Sequence, residues 1–275
     1  MDWVFDIGNS AAKGALLDEG GELERAVRLD LAPAEASQAD WQRALREAVG
    51  EQEGPERVGF ASVVPAAAEP FRAALRASWG VEDAFAVRPN AEDARRPFAL
   101  GYRTPATLGA DRLAAAAAAW TRYGKDGDAA RSVVALDAGT ALTYEVVRAD
   151  ATGAGVYEGG AIAPGPVLQR QALTGGTAQL PSSLSLDDAL PAPPVGASTR
   201  DALQSGLLYG LLDSADGMIR RLAATLPDAP VVVATGGWSA FLREHLPDGR
   251  LARRDPHLVL RGVHALMRLG EGERE

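Results

Sequence analysis

The chain opens with Asp2-Trp3-Val4-Phe5-Asp6-Ile7-Gly8-Asn9-Ser10-Ala11-Ala12-Lys13. A short run rich in aromatic and β-branched residues predicts a buried strand, and it breaks at an acidic residue followed by Gly, Asn and Ser. Glycine lets the backbone turn and approach a ligand closely. Asn9 and Ser10 supply side-chain donors, and Lys13 can meet a phosphate as a point charge. Asp6 is the odd member of such a set, because a carboxylate repels a phosphate unless Mg²⁺ lies between them. The residue types therefore suggest a cradle for a metal-bound nucleotide. Gly, Asn and Ser are also ordinary turn formers, so the stretch alone reads first as a plain hairpin turn.

A second copy shifts the balance. From Arg131 the chain reads Arg-Ser-Val-Val-Ala-Leu-Asp137-Ala138-Gly139-Thr140-Ala-Leu-Thr-Tyr-Glu-Val-Val147: an apolar run, Asp-x-Gly, a small polar residue and a β-rich return. In the first half the return is residues 12–17, with a further strand expected over 25–31. In the second it is 144–148, with a further strand over 156–162. A strand, Asp-x-Gly and hairpin in each half predict two related domains facing one nucleotide.

Composition sets the outer bounds. The 275 residues favour two domains, and 47% hydrophobic with 24% charged content is ordinary for a globular protein with a core. A net charge of -9 argues against general nucleic-acid binding, so cations for a phosphate ligand must be placed locally. With no cysteine there is no disulfide framework, thiolate metal site or catalytic thiol. No signal-like segment opens the sequence and no apolar run reaches membrane-spanning length, so no membrane association and cytoplasmic residence are expected.

The two Asp-x-Gly hairpins resemble those of the actin, hexokinase and heat-shock ATPase superfamily. That resemblance implies an α/β fold of two duplicated actin-like, ribonuclease H-like domains with a nucleotide cleft between them, drawn here as 1–112 and 113–275. Within it the chain resembles type III pantothenate kinases nearly end to end. The matching motifs are Asp6 to Lys13, Ser62-Val63-Val64-Pro65, Tyr102 with Pro105, Gly109-Ala110-Asp111-Arg112, Asp137-Ala138-Gly139-Thr140, Gly159-Gly160-Ala161-Ile162-Ala163-Pro164-Gly165, Thr177-Ala178-Gln179-Leu180-Pro181 and Thr235-Gly236-Gly237. Each is short; their order and spacing together are specific.

The resemblance implies ATP-dependent phosphorylation of pantothenate to 4′-phosphopantothenate, the first step toward coenzyme A. By it, Asp6, Ile7, Gly8, Asn9, Ser10, Ala11, Ala12, Lys13 and Thr140 hold the phosphates, Asp6 organises Mg²⁺ through water, and Gly236 and Gly237 take the adenosine. Asp137 would hold a monovalent cation, K⁺ or NH₄⁺. Asp111, at a helix start that keeps it ionised, would accept the proton of the attacking hydroxyl. Tyr102, Gly109, Ala110, Arg112, Gly160 and Thr177 join it around pantothenate, with the Arg112 fork on the substrate carboxylate. Without the resemblance, Asp111 reads equally as a helix-terminal cap, Gly160 could simply make room for packing, and Thr177 reads first as a surface threonine. An adjacent acid and arginine also tend to pair with each other, so one of them must turn away. Where relatives commonly have Tyr-x-Asn-Pro, this chain has Tyr102-Arg103-Thr104-Pro105, which puts the asparagine's contact in doubt. A kinase of the same fold for another small hydroxyl compound and a catalytically silent nucleotide-binding regulator both stay open.

In chain order, amphipathic helices are expected over 37–49 and 66–79, a strand over 57–62 and another over 84–87. A long polar loop over 88–107, carrying Arg95, Arg96 and Tyr102, is expected to border the substrate pocket. An almost all-alanine helix follows Asp111 and invites a close neighbour, either within the domain or across a dimer. A helix begins near Pro166, and residues 181–195 read as an ordered loop. The longest helical pattern, 198–226, carries Gly206, Gly210 and Gly217, and with the alanine helix it suggests a homodimer seam. Residues 230–235 form a strand into Gly236-Gly237-Trp238, and 258–269 an amphipathic helix; whether it returns to the first domain is open. His245, His257 and His264 are too scattered for a metal site or a triad.

Overall fold

Trp3, Val4, Phe5 and Ile7 are all buried, the pattern of a strand covered on both faces, and they form β1 (Asp2–Ile7), the centre of the first sheet. The computed structural model that shows this describes the chain apart from residues 51–54, 91–95, 127–128, 177–185, 187–192 and 270–275. β1 pairs antiparallel with β2 (Ala12–Leu17), which pairs antiparallel with β3 (Leu23–Leu29). On its other side lie β4 (Arg57–Ser62) and then β5 (Phe85–Ala86), both parallel. The strand order is β3-β2-β1-β4-β5.

Helices α1 (Gln38–Val49) and α2 (Ala68–Trp79) cover one face of this sheet, with Trp41, Leu45, Phe71 and Leu75 packed on Phe5 and Phe60. Ser37 and Asp40 make the expected reciprocal capping box on α1, and Gly80 ends α2 in the left-handed conformation. The expected start of α2 is a separate 3₁₀ turn over Pro65–Ala67. Pro65 opens the turn, and Pro70 in the first turn of α2 has no N–H to give to residue 66, which explains the break.

The second half contains β6 (Ala99–Leu100), α3 (Ala110–Tyr123), a small hairpin of β7 (Lys125–Asp126) and β8 (Ala129–Ala130), then β9 (Val133–Ala138), β10 (Ala141–Ala149) and β11 (Gly155–Pro164). After these come α4 (Pro166–Gly175), α5 (Thr199–Ala223), β12 (Val231–Thr235), α6 (Ser239–His245), β13 (Arg253–Arg254) and α7 (Leu258–Arg268). The second sheet runs β13-β12-β9-β10-β11-β6. Read from β11 to β13 it repeats the first sheet: two antiparallel neighbours on one side of the central strand and two parallel ones on the other. β6 is an added edge, parallel to β11, so the loop expected between the halves sends two residues into the second sheet.

Between the sheets lies a layer of two helices. Ala114 to Ala119 of α3 are buried, and a Cβ on Gly262 of α7 would fall 1.8 Å from the carbonyl oxygen of Ala114, so the helices touch backbone to backbone. The same core takes Val4, Ala15 and Leu17 from the first sheet and Val133, Ala135 and Val147 from the second. The close partner invited by the alanine run is therefore α7 of the same chain, and that helix supplies no dimer seam. α7 also packs on β1, β2 and β4, returning the end of the chain to the first sheet. There Arg268 Nε donates to Asp2 Oδ2 at 2.7 Å. The glycines of α5 behave otherwise: a Cβ at Gly206 or Gly210 would meet open space, so no neighbour within the described residues explains them.

Candidate active site

Each sheet ends its central strand in a tight turn. In the first, Gly8 N donates to the Ala11 carbonyl at 3.0 Å, and the register sets Asp6 directly across from Lys13. In the second, Gly139 N donates to the Ala141 carbonyl at 3.0 Å, and Asp137 stands across from Thr143. The same architecture thus places an aspartate at the mouth of each central strand, with a facing cation in the first hairpin and a hydroxyl in the second. The tips meet: Ser10 Oγ and Thr140 Oγ1 are 3.1 Å apart.

The Gly236-Gly237 turn closes on the second hairpin. Trp238 N donates to the Ala138 carbonyl at 2.9 Å, and a Cβ on Gly236 would lie 2.3 Å from Asp137 Oδ1. Gly236 also has φ 85°, so only glycine fits there. These segments bound a cleft of about 320 Å³ whose lining includes Asp6, Gly8, Asn9, Ser10, Ala11, Lys13, Asp111, Asp137, Gly139, Thr140, Gly236 and Gly237. Thr143, Leu168 and Val63 complete much of the wall. The expected residues Asp6, Asp111 and Asp137, far apart in the chain, share one cavity. Ile7, Ala12 and Ala110 are buried, so their side chains belong to the core and only backbone there can face a ligand.

Three carboxylates and one ammonium leave the cleft short of positive charge. Burial pushes the Asp6 carboxyl up to about 7, helped by the charges of Asp137 and Asp111 and opposed by Lys13. Asp137 is pushed up to about 6, again chiefly by burial, with Lys13 opposing and Asp111 adding to the rise. Asp111 is raised as well by burial, against the bond it accepts from the Arg112 amide and the Arg112 charge. A bound cation would relieve all three. Among the described residues no group of three or more His, Cys, Asp or Glu side chains forms a metal cage. The donor set therefore suits a hard cation that keeps most of its shell as water and ligand oxygen, which is the habit of Mg²⁺ with phosphates.

Asp111 sits in the first turn of α3, whose N-cap is Gly109. Its Oδ1 accepts from Arg112 N at 2.7 Å, and a Cβ on residue 109 would lie 2.5 Å from that same oxygen. Gly109 thus leaves the room in which the carboxylate rests. Arg112 turns the other way, into the protein. Its Nε and Nη2 donate to Glu145 Oε1 and Oε2 at 2.7 and 2.9 Å, and Tyr157 OH donates to Glu145 Oε2 at 2.6 Å. The acid and arginine adjacent in sequence are parted because a second acid takes the arginine. Tyr102 lies over this cluster, its ring 6.0 Å from Arg112 Cζ and 5.9 Å from the Tyr157 ring.

Glu145 and Tyr157 escape the sequence reading. The available signal was a single acid inside the apolar strand Leu142 to Val147, which a buried strand tolerates only with a partner. Gly160 is not among the residues that line the cleft: on β11 it pairs with Glu145 of β10, and a Cβ there would sit 1.5 Å from the Tyr144 carbonyl oxygen, so the close packing of the paired strands calls for glycine. Gly159, at φ 99°, leaves room for the Tyr102 ring. Thr104, where relatives carry asparagine, accepts from the Thr107 hydroxyl at 2.9 Å within its own 3₁₀ turn. Thr177 and Arg95 lie outside the described residues. The three histidines stand apart, His264 on Asp2, His245 on Phe241 and His257 at the start of α7. Among the described residues no helix is long and apolar enough to cross a membrane.

Residues 3–221 match a family described as type III pantothenate kinase. A type III pantothenate kinase of Chlorobaculum parvum is 37% identical over 220 residues, 78% of this chain and 75% of that protein. One from Thermomicrobium roseum is 34% identical over 271 residues, 96% of each. Among solved structures, a ROK family glucokinase from Streptomyces griseus in complex with glucose and AMPPNP superposes with a TM-score of 0.52 at 15% identity, over 96% of this chain and 98% of that one. Component A of the Acidaminococcus fermentans (R)-2-hydroxyglutaryl-CoA dehydratase gives 0.51 at 14% identity, over 99% of each. At such identities the structural likeness concerns the fold.

Proposed function

The chain belongs to the type III pantothenate kinase family, and from that premise we propose how its cleft carries out the family's reaction. It is a kinase that transfers a phosphoryl group from ATP to pantothenate, giving 4′-phosphopantothenate on the way to coenzyme A.

The observation that carries the residue roles is the shared cleft of Asp6, Lys13, Asp111, Asp137 and Thr140. We read the two like-ordered sheets as duplicated domains, 1–112 and 113–275, that close on one nucleotide. The turn amides and side chains of residues 6–13, with Thr140, cradle the phosphates, and Gly236-Gly237 lies against the adenosine. Asp6 would hold Mg²⁺ through water, and the ion would supply neutralising charge to the phosphate oxygens. Asp137 would hold a monovalent cation, K⁺ or NH₄⁺. Asp111 accepts the proton of the pantothenate hydroxyl as that oxygen bonds to the γ-phosphorus and the bond to the ADP oxygen breaks. Its raised affinity for protons suits a base better than an ordinary exposed aspartate would. Arg112 and Tyr102 meet the far, acidic end of pantothenate, with Gly109, Ala110, Gly160 and Thr177 bordering it. A homodimer and cytoplasmic residence belong to the same proposal, the exposed Gly206 and Gly210 face of α5 being the surface that favours the dimer.

A coupled assay of ADP release with and without pantothenate tests the reading. Release that depends on pantothenate, and on no other alcohol or sugar in a panel, supports it. Release indifferent to pantothenate removes it.

A further inference from the structure

Glu145 is 1% exposed, and it stands on β10 two residues beyond Thr143 of the cleft wall. An ionised carboxylate persists in such a place only against a cation and further donors. Glu145 has both, in the two bonds from Arg112 and the third from Tyr157.

The consequence reaches the cleft through the chain itself. Arg112 follows Asp111 directly, and the cleft beside it holds two more carboxylates, Asp6 and Asp137. A guanidinium on a flexible stem and free to choose would turn to its neighbour Asp111 at the edge of that cluster, where it would tie up the base and occupy the place of the substrate hydroxyl. Here the Nε and Nη2 edge is committed to Glu145, and the Tyr102 ring lies 6.0 Å from Cζ. We infer that Glu145 is a positioning residue of the phosphoryl transfer: its two-pronged bond keeps the Arg112 guanidinium off Asp111 and fixed where the acidic end of the substrate meets it. Tyr157 in turn fixes Glu145. The inference rests on the roles given above to Asp111 and Arg112.

Steady-state kinetics of Glu145→Gln and Glu145→Asp in the full chain test it. The glutamine keeps the size of the side chain and removes the charge that holds Arg112. kcat/KM for pantothenate then falls about 10- to 100-fold, the factor that charge-assisted bonds of this kind are worth. KM for ATP stays within about twofold, because the phosphate cradle is untouched. Glu145→Asp restores the charge on a shorter arm and recovers part of the loss. Full activity in Glu145→Gln, a parallel rise of both KM values, or an equal loss in the aspartate variant overturns the role. Should neither variant fold, Tyr157→Phe removes one interior hydroxyl: a rise in pantothenate KM with ATP KM constant supports the role, and no change overturns it. A wild-type protein without pantothenate-dependent ADP release defeats the underlying reading instead, whereas an active wild type with indifferent variants defeats only the part given to Glu145.

Discussion

Ser10 Oγ stands 3.1 Å from Thr140 Oγ1 although the two residues are 130 positions apart, so the tips of the two hairpins touch across the cleft. Either hydroxyl can donate to the other, and on the proposed reading each exchanges that contact for a bond to a phosphate oxygen at the cleft mouth. Removing one leaves the cradle with a donor on one side only. Thr140→Val therefore raises KM for ATP about tenfold or more, the worth of one bond to a charged group, while KM for pantothenate moves little. Equal changes in the two KM values would show that the threonine does not act on the nucleotide.

Asp111 gives the largest effect on turnover. Asp111→Asn keeps the shape and loses the proton acceptor, so kcat drops about 10² to 10⁴-fold with ATP binding retained. Gly109→Ala is a sharper probe, since its Cβ would fall 2.5 Å from Asp111 Oδ1 and push the carboxylate from its place. Turnover falls without a matching fall in melting temperature; an alanine variant with normal kcat would mean the resting place of Asp111 is unimportant.

The acid cluster ties stability to pH. Asp6 binds its proton more tightly when folded, at about 7, than its ordinary 3.8. Its protonated form therefore stabilises the fold fully below the unfolded value, and that contribution is lost as pH rises through the folded one. Asp6→Asn, which cannot ionise, melts close to the wild type near pH 4 and above it by several degrees near about pH 8, in nucleotide-free protein. It binds ATP with Mg²⁺ more weakly at both. A melting difference that stays constant between those pH values would contradict the raised affinity.

Monovalent cation dependence follows from the role given to Asp137, which shares its cleft wall with Thr140 and the glycine turn. Exchanging K⁺ or NH₄⁺ for Na⁺ in the assay removes most of the activity, and Asp137→Asn flattens the dependence. Matching rates in all three salts would take the cation away from Asp137.

Gly262 tests the helix layer between the sheets. With a Cβ 1.8 Å from the Ala114 carbonyl oxygen, Gly262→Ala forces α3 and α7 apart and costs about 1–3 kcal/mol or more. A lowered denaturation midpoint with unchanged slope is the expected result. A neutral substitution would mean that the helices do not cross this closely.

Much of this was readable from local pattern. The strand-turn-strand runs around Asp6 and Asp137, the Ser37 cap and the Gly80 stop are dictated by residues within a few positions of one another, and each forms where its pattern puts it. Longer contacts are less legible. The alanine run of α3 calls for a close neighbour, within the domain or across a dimer, and that neighbour is α7 of the same chain. Gly160 reads as a packing glycine or as a substrate contact, and its backbone lies hard against the Tyr144 carbonyl. In both cases small residues announce that something comes close without saying what, because a missing side chain carries no address.

By itself, then, the sequence determined the two hairpins, their acidic residues and the alternation of strands and helices, since hydrophobic period and turn chemistry act over neighbouring residues. Only the tertiary structure decided that Ser10 meets Thr140, that α7 crosses back over the first sheet, and that Arg112 leaves Asp111 for Glu145. Those pairings join residues from 33 to 266 positions apart, so no local pattern announces them. The exposed Ser10–Thr140 contact is set by where the two hairpins end, whereas Arg112 and Glu145 are buried and must pair. A charged side chain carried into the interior takes whichever partner the packed layers bring within reach.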